Sequence, residues 1–145
     1  MDAPDADGET LPWETLGGAT AFECPGFDVR RDDVRLPDGS RTEYHYLDEA
    51  PAVVVLPFTT EGDVVTIAEW RQAVGRVNCG IPAGSVEPHD PNLAAAARRE
   101  LAEETGYEAG TIEHVATVEP ANGVANSVHH HFTARGCEPT ADRDL

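Results

Sequence analysis

Apolar and polar positions keep one period over the first third of the chain and change it further on. From Phe27 to Tyr46 the text FDVRRDDVRLPDGSRTEYHY alternates on either side of PDGS, the pattern of two strands joined by a tight turn. AVVVLPF (52–58) and VVTIAEW (64–70) are continuous β-rich apolar runs separated by TTEGD, and both read as core strands. CGIPAG follows, where Pro82 and Gly84 break any regular element and predict a loop. DPNLAAAARRELAEETG predicts a helix with Asp90 as N-cap, Pro91 as first helical residue and Gly106 as the stop. TIEHVATVE and VHHHFTA return to strand character. Residues 1–12 are acidic and small, a mobile tail; 13–50 form an N-terminal β region and 51–145 the main domain.

On a helical wheel of about 100° per residue, Leu93, Ala94, Ala97 and Leu101 make an apolar stripe, and Ala95, Arg98 and Ala102 point away from it. Glu104 falls inside the stripe, Glu100 at its edge and Glu103 a little further round. For Glu103 the ordinary alternative is an i,i+4 ion pair with Arg99 on an exposed face. A carboxylate among core positions needs a partner, and a divalent cation is one that several carboxylates can share. The helix is therefore expected to build a magnesium site.

Composition narrows the setting. The chain has 145 residues, 40% of them hydrophobic, enough for one domain with a core. Its formal net charge is −17, and all 10 of its basic residues are arginine. Excess carboxylate without lysine suits a protein kept soluble in concentrated salt, which predicts a halophilic source. It also argues against binding nucleic acid or an anionic membrane. Cys24, Cys79 and Cys137 are far apart and form no CxxC pair, which suits a reducing cytoplasm; Cys79 is expected to be a small buried residue. The start MDAPDADGETLPW has neither the basic nor the apolar region of a signal peptide, and no window approaches a membrane span.

GSVEPHDPNLAAAARRELAEETGY resembles the signature of the Nudix hydrolases, G-x5-E-x7-R-E-U-x-E-E-x-G-U, where U is bulky and apolar. Arg99, Glu100, Leu101, Glu103, Glu104, Gly106 and Tyr107 match its second half and Gly84 its first glycine. The acid of the first half is Asp90 in place of Glu, and it stands one residue too far from Arg99. Upstream, EWRQAVGRVNCGIPAGSVE is similar to the stretch before the signature in ADP-ribose pyrophosphatases, so the likeness covers most of the chain from Trp13 to about Gly136.

The resemblance implies an α/β Nudix fold, a mixed β-sheet sandwiched between helices, with a small N-terminal β region that helps build a homodimer. It implies Mg²⁺, with Mn²⁺ as the alternative, held by the Ala83 carbonyl, Glu100 and Glu104, with Glu103 as a further ligand or base. Arg99 completes the catalytic set, and Arg71 is expected on substrate phosphate. The implied reaction is hydrolysis of a nucleoside diphosphate linked to another group, with ADP-ribose favoured and giving AMP and ribose 5-phosphate. Another nucleotide sugar, a dinucleotide, or binding without cleavage are the alternatives.

Where the pyrophosphatases often carry a glutamate in the late loop, this chain has Ser127, which leaves Glu103, Glu119 or a group beyond the chain as general base. His129, His130 and His131 are expected to serve strand packing, since imidazole is an unusual ligand for Mg²⁺. The polar CEPTADRDL after the last strand lacks the strand and helix with which the resembled family continues. This predicts a truncated chain or one completed by a partner.

Overall fold

The computed structural model describes residues 10–140. Residues 1–9 of the expected tail, and residues 141–145, lie outside the described residues. The described chain forms two compact units, one from the N-terminal part with 121–126, the other from 50–120 with the remainder.

The first unit is an antiparallel sheet of β1 (Glu14–Cys24), β2 (Phe27–Arg35) and β3 (Arg41–Asp48) in that order. The β2–β3 hairpin turns at PDGS as its sequence predicts. Gly39 supplies a φ of 86°, and the Asp38 carboxylate accepts from the Ser40 N–H at 2.8 Å. β1 went unpredicted, because ETLGGATAFEC has neither alternation nor a β-branched run. Its Gly18 lies so close to Asp32 and the Arg31 carbonyl that a Cβ would collide with both. The segment 121–126 joins this unit through Tyr44 Oη, which donates to the Gly123 carbonyl at 2.6 Å, and through Leu47 N–H to the Val124 carbonyl at 2.8 Å.

The second unit carries β4 (Ala52–Thr59), β5 (Ile67–Arg71), β6 (Arg76–Gly80), β7 (Ala83–Ser85), α1 (Leu93–Thr105), β8 (Tyr107–Glu108), β9 (Thr111–Val118) and β10 (His129–Pro139). Its main sheet runs β7-β4-β10-β8 with β9 also on β10; β4 and β10 are parallel and the other pairings antiparallel. The sheet is mixed, as expected. VVTIAEW is not a core strand: β5 pairs only with β6 in a separate hairpin, and Trp70 is 60% exposed. CGIPAG, read as a loop, holds the end of β6 and the start of β7, with Ile81 and Pro82 between them. Cys79 is exposed on β6, contrary to expectation, and Cys137 is the buried one.

The core lies between α1 and one sheet face. Val53 and Val55 on β4 stand in register with His130 and Phe132 on β10, and Val53, Val55, Phe132, Ala134 and Cys137 pack against Ala96, Ala97 and Leu101. Two fully buried alanines let the helix approach the sheet closely. Among the described residues α1 is the one helix, so the second layer of a helix sandwich does not occur there.

Asn92, not Asp90, caps α1: its backbone is extended and its side-chain oxygen accepts from the Ala95 N–H at 2.8 Å. Pro91 accordingly precedes the helix. Gly106 ends it as predicted, with φ 74° and its N–H on the Ala102 carbonyl at 2.9 Å. Leu101 is fully buried at the centre of this contact. Leu101→Ala should cost about 2–5 kcal/mol, whereas Leu101→Met should cost under about 1.5 kcal/mol, both read from urea unfolding midpoints.

Candidate active site

The site grows from the contact of β7 with the middle of α1. β7 pairs with β4, placing Ala83 opposite Val54 and Gly84 opposite Val53, and Gly84 then faces the carboxylate of Glu100. A Cβ at Gly84 would overlap all three atoms of that carboxyl group, so glycine is required here for space and not for an unusual backbone angle. Glu100 is 7% exposed, a charge set into the helix–sheet contact.

Its partner is Arg99, and every N–H of that guanidinium is used. Nε donates to Asp90 Oδ1 at 2.9 Å and Nη2 to Asp90 Oδ2 at 2.9 Å, a bidentate pair. Nη2 also donates to the Ser85 carbonyl at 3.0 Å, while Nη1 donates to Glu100 Oε1 at 2.8 Å and Glu103 Oε2 at 3.1 Å. Glu87 stands 3.6 Å from Nη1. One side chain thus ties β7, the loop before the helix and two helical glutamates together. The hydrogen bonds from Arg99 and then the Glu87 N–H hold the Asp90 carboxyl down at about 2, against the effect of burial. The same pairing raises Arg99.

Asp90 therefore has a definite place although it departs from the signature in type and spacing. Its carboxylate is taken by Arg99 and by the loop backbone, where the Glu87 N–H donates to Oδ2 at 2.8 Å. This leaves the cap to Asn92.

The wheel placed Glu104 deeper than Glu100, and the structure reverses them. Glu100 is buried, and Glu104 is exposed at the rim of the same contact. The Glu104 carboxyl is raised above its ordinary range, first by desolvation and then by the charge of Glu100; the Ala83 N–H and Arg71 oppose this and Glu69 adds to it. Glu100, Glu69, Arg71 and the Ala83 N–H therefore all act on the Glu104 carboxyl. Glu103 sits outside this group, its side chain 57% exposed and paired with Arg99, the ordinary i,i+4 contact.

Arg71 ends β5 with its Nη2 on the Glu69 carboxylate. Glu69 was missed from the sequence, though the period of two that puts Ile67, Glu69 and Arg71 on one face of the strand was there to be read. Ser127 is 4% exposed ahead of β10, and Glu119 is exposed after β9. The histidines serve strand packing: His130 Nδ1 meets Thr117 Oγ1 at 2.9 Å, and that hydroxyl meets His114 Nε2 at 2.8 Å.

Glu100 and Glu104, with the Ala83 carbonyl expected from the sequence, would offer a cation only oxygen, which suits Mg²⁺ or Mn²⁺. Among the described residues no group of three or more His, Cys, Asp or Glu side chains is placed to hold a metal ion. An open, partial set fits magnesium, which keeps waters and takes substrate phosphate oxygens to complete its shell. The charge of Glu100, which adds to desolvation in raising Glu104, is what a shared cation would offset.

The Arg99–Asp90 pair generates a pH prediction. The Asp90 carboxyl lies below the unfolded value of about 3.9, so its stabilisation is complete above about pH 4 and is lost as pH falls towards 2. Asp90→Asn should flatten the decline in stability over that window, measured by urea unfolding at a series of pH values; an unchanged slope would contradict the pairing.

Comparison with known proteins agrees with this geometry. The NUDIX domain family matches residues 48–143, and the family described as nucleoside diphosphate sugar hydrolase N-terminal domain matches residues 13–47. A methanol dehydrogenase activator from Bacillus methanolicus is 34% identical over 89% of this chain and 69% of its own length. An ADP-ribose pyrophosphatase from Bacillus subtilis is 31% identical over 87% of this chain and 68% of its own. The crystal structure of an ADP compounds hydrolase superposes with a TM-score of 0.77 at 22% identity, covering 92% of this chain and 74% of that one, a likeness of fold. With its helix glutamates, its arginine clamp and a family match across about two thirds of its length, this chain belongs to the Nudix hydrolases.

Proposed function

We propose that this hydrolase cleaves the diphosphate bond of a nucleoside diphosphate linked to another group, with ADP-ribose, giving AMP and ribose 5-phosphate, as the favoured substrate. The observation that carries the reading is the pair of carboxylates, Glu100 against Gly84 and Glu104 on the Ala83 N–H, with Arg71 acting on Glu104. The relative from Bacillus subtilis named as an ADP-ribose pyrophosphatase supports the choice of substrate. Magnesium, when bound, neutralises adjacent phosphate charges and lowers the pKa of a bound water.

The chain's own residues have separate tasks. Glu100 and Glu104, with the Ala83 carbonyl, would hold the ion, and Arg99 holds the Glu100 carboxylate in place by donating to Oε1. Glu103, exposed and paired with Arg99, would accept a proton from water or add a ligand. Arg71 would take substrate phosphate oxygens through paired hydrogen bonds. The reading also includes 13–50 as an N-terminal β unit serving a homodimer, 51–145 as the hydrolase domain, a cytoplasmic setting and a high-salt source. No helix among the described residues is long and apolar enough to cross a membrane.

Two variants test this reading. Glu104→Gln keeps the volume and removes one charge from the cation site. It should lower turnover of ADP-ribose at least about ten- to a hundred-fold, since even groups that only orient a metal ligand cost that much. Turnover is read as phosphate released by added phosphatase with and without Mg²⁺, beside an unchanged circular dichroism spectrum; full activity would refute the metal assignment. Arg71→Ala should raise KM about ten-fold with a smaller change in kcat, as expected for a lost charge-assisted hydrogen bond. Unchanged KM with a lowered Tm would show that Arg71 serves only its ion pair.

A further inference from the structure

The β5–β6 hairpin puts two of the chain's few cations face to face. Arg71 and Arg76 are directly opposite in the antiparallel register, so their side chains leave the same face of the ribbon. Like charges opposite one another destabilise a ribbon unless an anion lies between or beside them. The anion present is Glu69, two residues back on the same face, whose carboxylate sits on Arg71 Nη2. Among the described residues no carboxylate lies within ion-pair distance of Arg76.

These groups are open to a ligand: the Arg71 side chain is 53% exposed and that of Glu69 37%. They also lie close to the proposed metal site, since Glu69 and Arg71 both act on the Glu104 carboxyl. A phosphate group approaching that site therefore meets an arginine already paired with a carboxylate, and a second arginine across the ribbon.

We infer that Glu69 is an internal counter-anion of the Arg71–Arg76 pair, which substrate phosphate must displace, and that Arg76 is a second phosphate-binding residue. The inference rests on the proposed role of Arg71. Glu69 is then a specificity-setting group: it weakens the grip on any single anion and favours ligands with enough phosphate charge to replace it. Exposed ion pairs contribute little, about 0–1 kcal/mol, so the effect on affinity is a few-fold.

The test uses inorganic pyrophosphate as probe, titrated by calorimetry without metal at fixed salt, beside steady-state hydrolysis of ADP-ribose with Mg²⁺. Glu69→Gln should tighten pyrophosphate about two- to five-fold and lower KM to match with kcat little changed. Arg71→Ala and Arg76→Ala should each weaken pyrophosphate, and Glu69→Gln should have no effect in the Arg71→Ala background. Glu113→Gln, on β9, removes the same charge elsewhere; an equal gain there would show only a general field effect and overturn the inference. Unchanged or weaker binding in Glu69→Gln, while Arg71→Ala still weakens it, would also overturn it and leave the proposed function standing. Unchanged binding and KM in Arg71→Ala would instead remove Arg71 from phosphate recognition altogether, and the inference with it.

Discussion

The arrangement of the site depends on the guanidinium of Arg99. A cation at a helix–sheet contact is costly unless its charge and its donors are all matched, and here its hydrogen bonds go to Asp90, Ser85, Glu100 and Glu103. Removing any one acceptor leaves the others in place but unbalances a charge with little access to water. The clamp also explains how the loop can differ from the usual signature. What the guanidinium requires is a carboxylate in its plane at hydrogen-bond distance. An aspartate, shorter than glutamate and one residue displaced, meets that requirement because the loop folds to present it.

Packing and chemistry meet at one glycine. Ala96 and Ala97 allow α1 to lie close against β4 and β10, and the same closeness brings Glu100 onto the backbone of Gly84. A larger residue at Ala96 or Ala97 would separate helix from sheet, and a Cβ at Gly84 would displace the Glu100 carboxylate itself. The small residues of the helix thus fix where the buried charge sits, as well as filling the core.

Much of this could be read from local signals. The turn at PDGS and the helix stop at Gly106 depend on backbone angles that neighbouring residues specify, and both occur where the text places them. Relations between distant residues could not be read in the same way. Asp90 followed by proline has the local form of a helix cap, but a tertiary partner nine residues on takes its carboxylate, and Asn92 caps instead. A wheel separates Glu100 from Glu104 by only about 40°, too little to say which faces inward; the position of β7 decides that. β7 itself is hidden in the sequence by Pro82 just before it and Gly84 at its centre, residues that break strands in isolation. The pairing of Arg71 with Arg76 needed only the hairpin register, which an unrecognised β6 concealed.

An acidic enzyme for an anionic substrate presents an electrostatic conflict that distance resolves. The net charge of −17 repels a nucleotide at long range. That repulsion is screened beyond about 10 Å in 0.1 M salt and about 3 Å in 1 M. On the proposed reading the ligand would at contact meet local charges instead: Arg71, Arg76 and a cation shared by the glutamates, none of which would be screened to the same degree once water is displaced. High salt then removes the unfavourable field while keeping more of the favourable contacts. On that reading the surface carboxylates and the proposed arginine contacts are compatible because they act over different lengths.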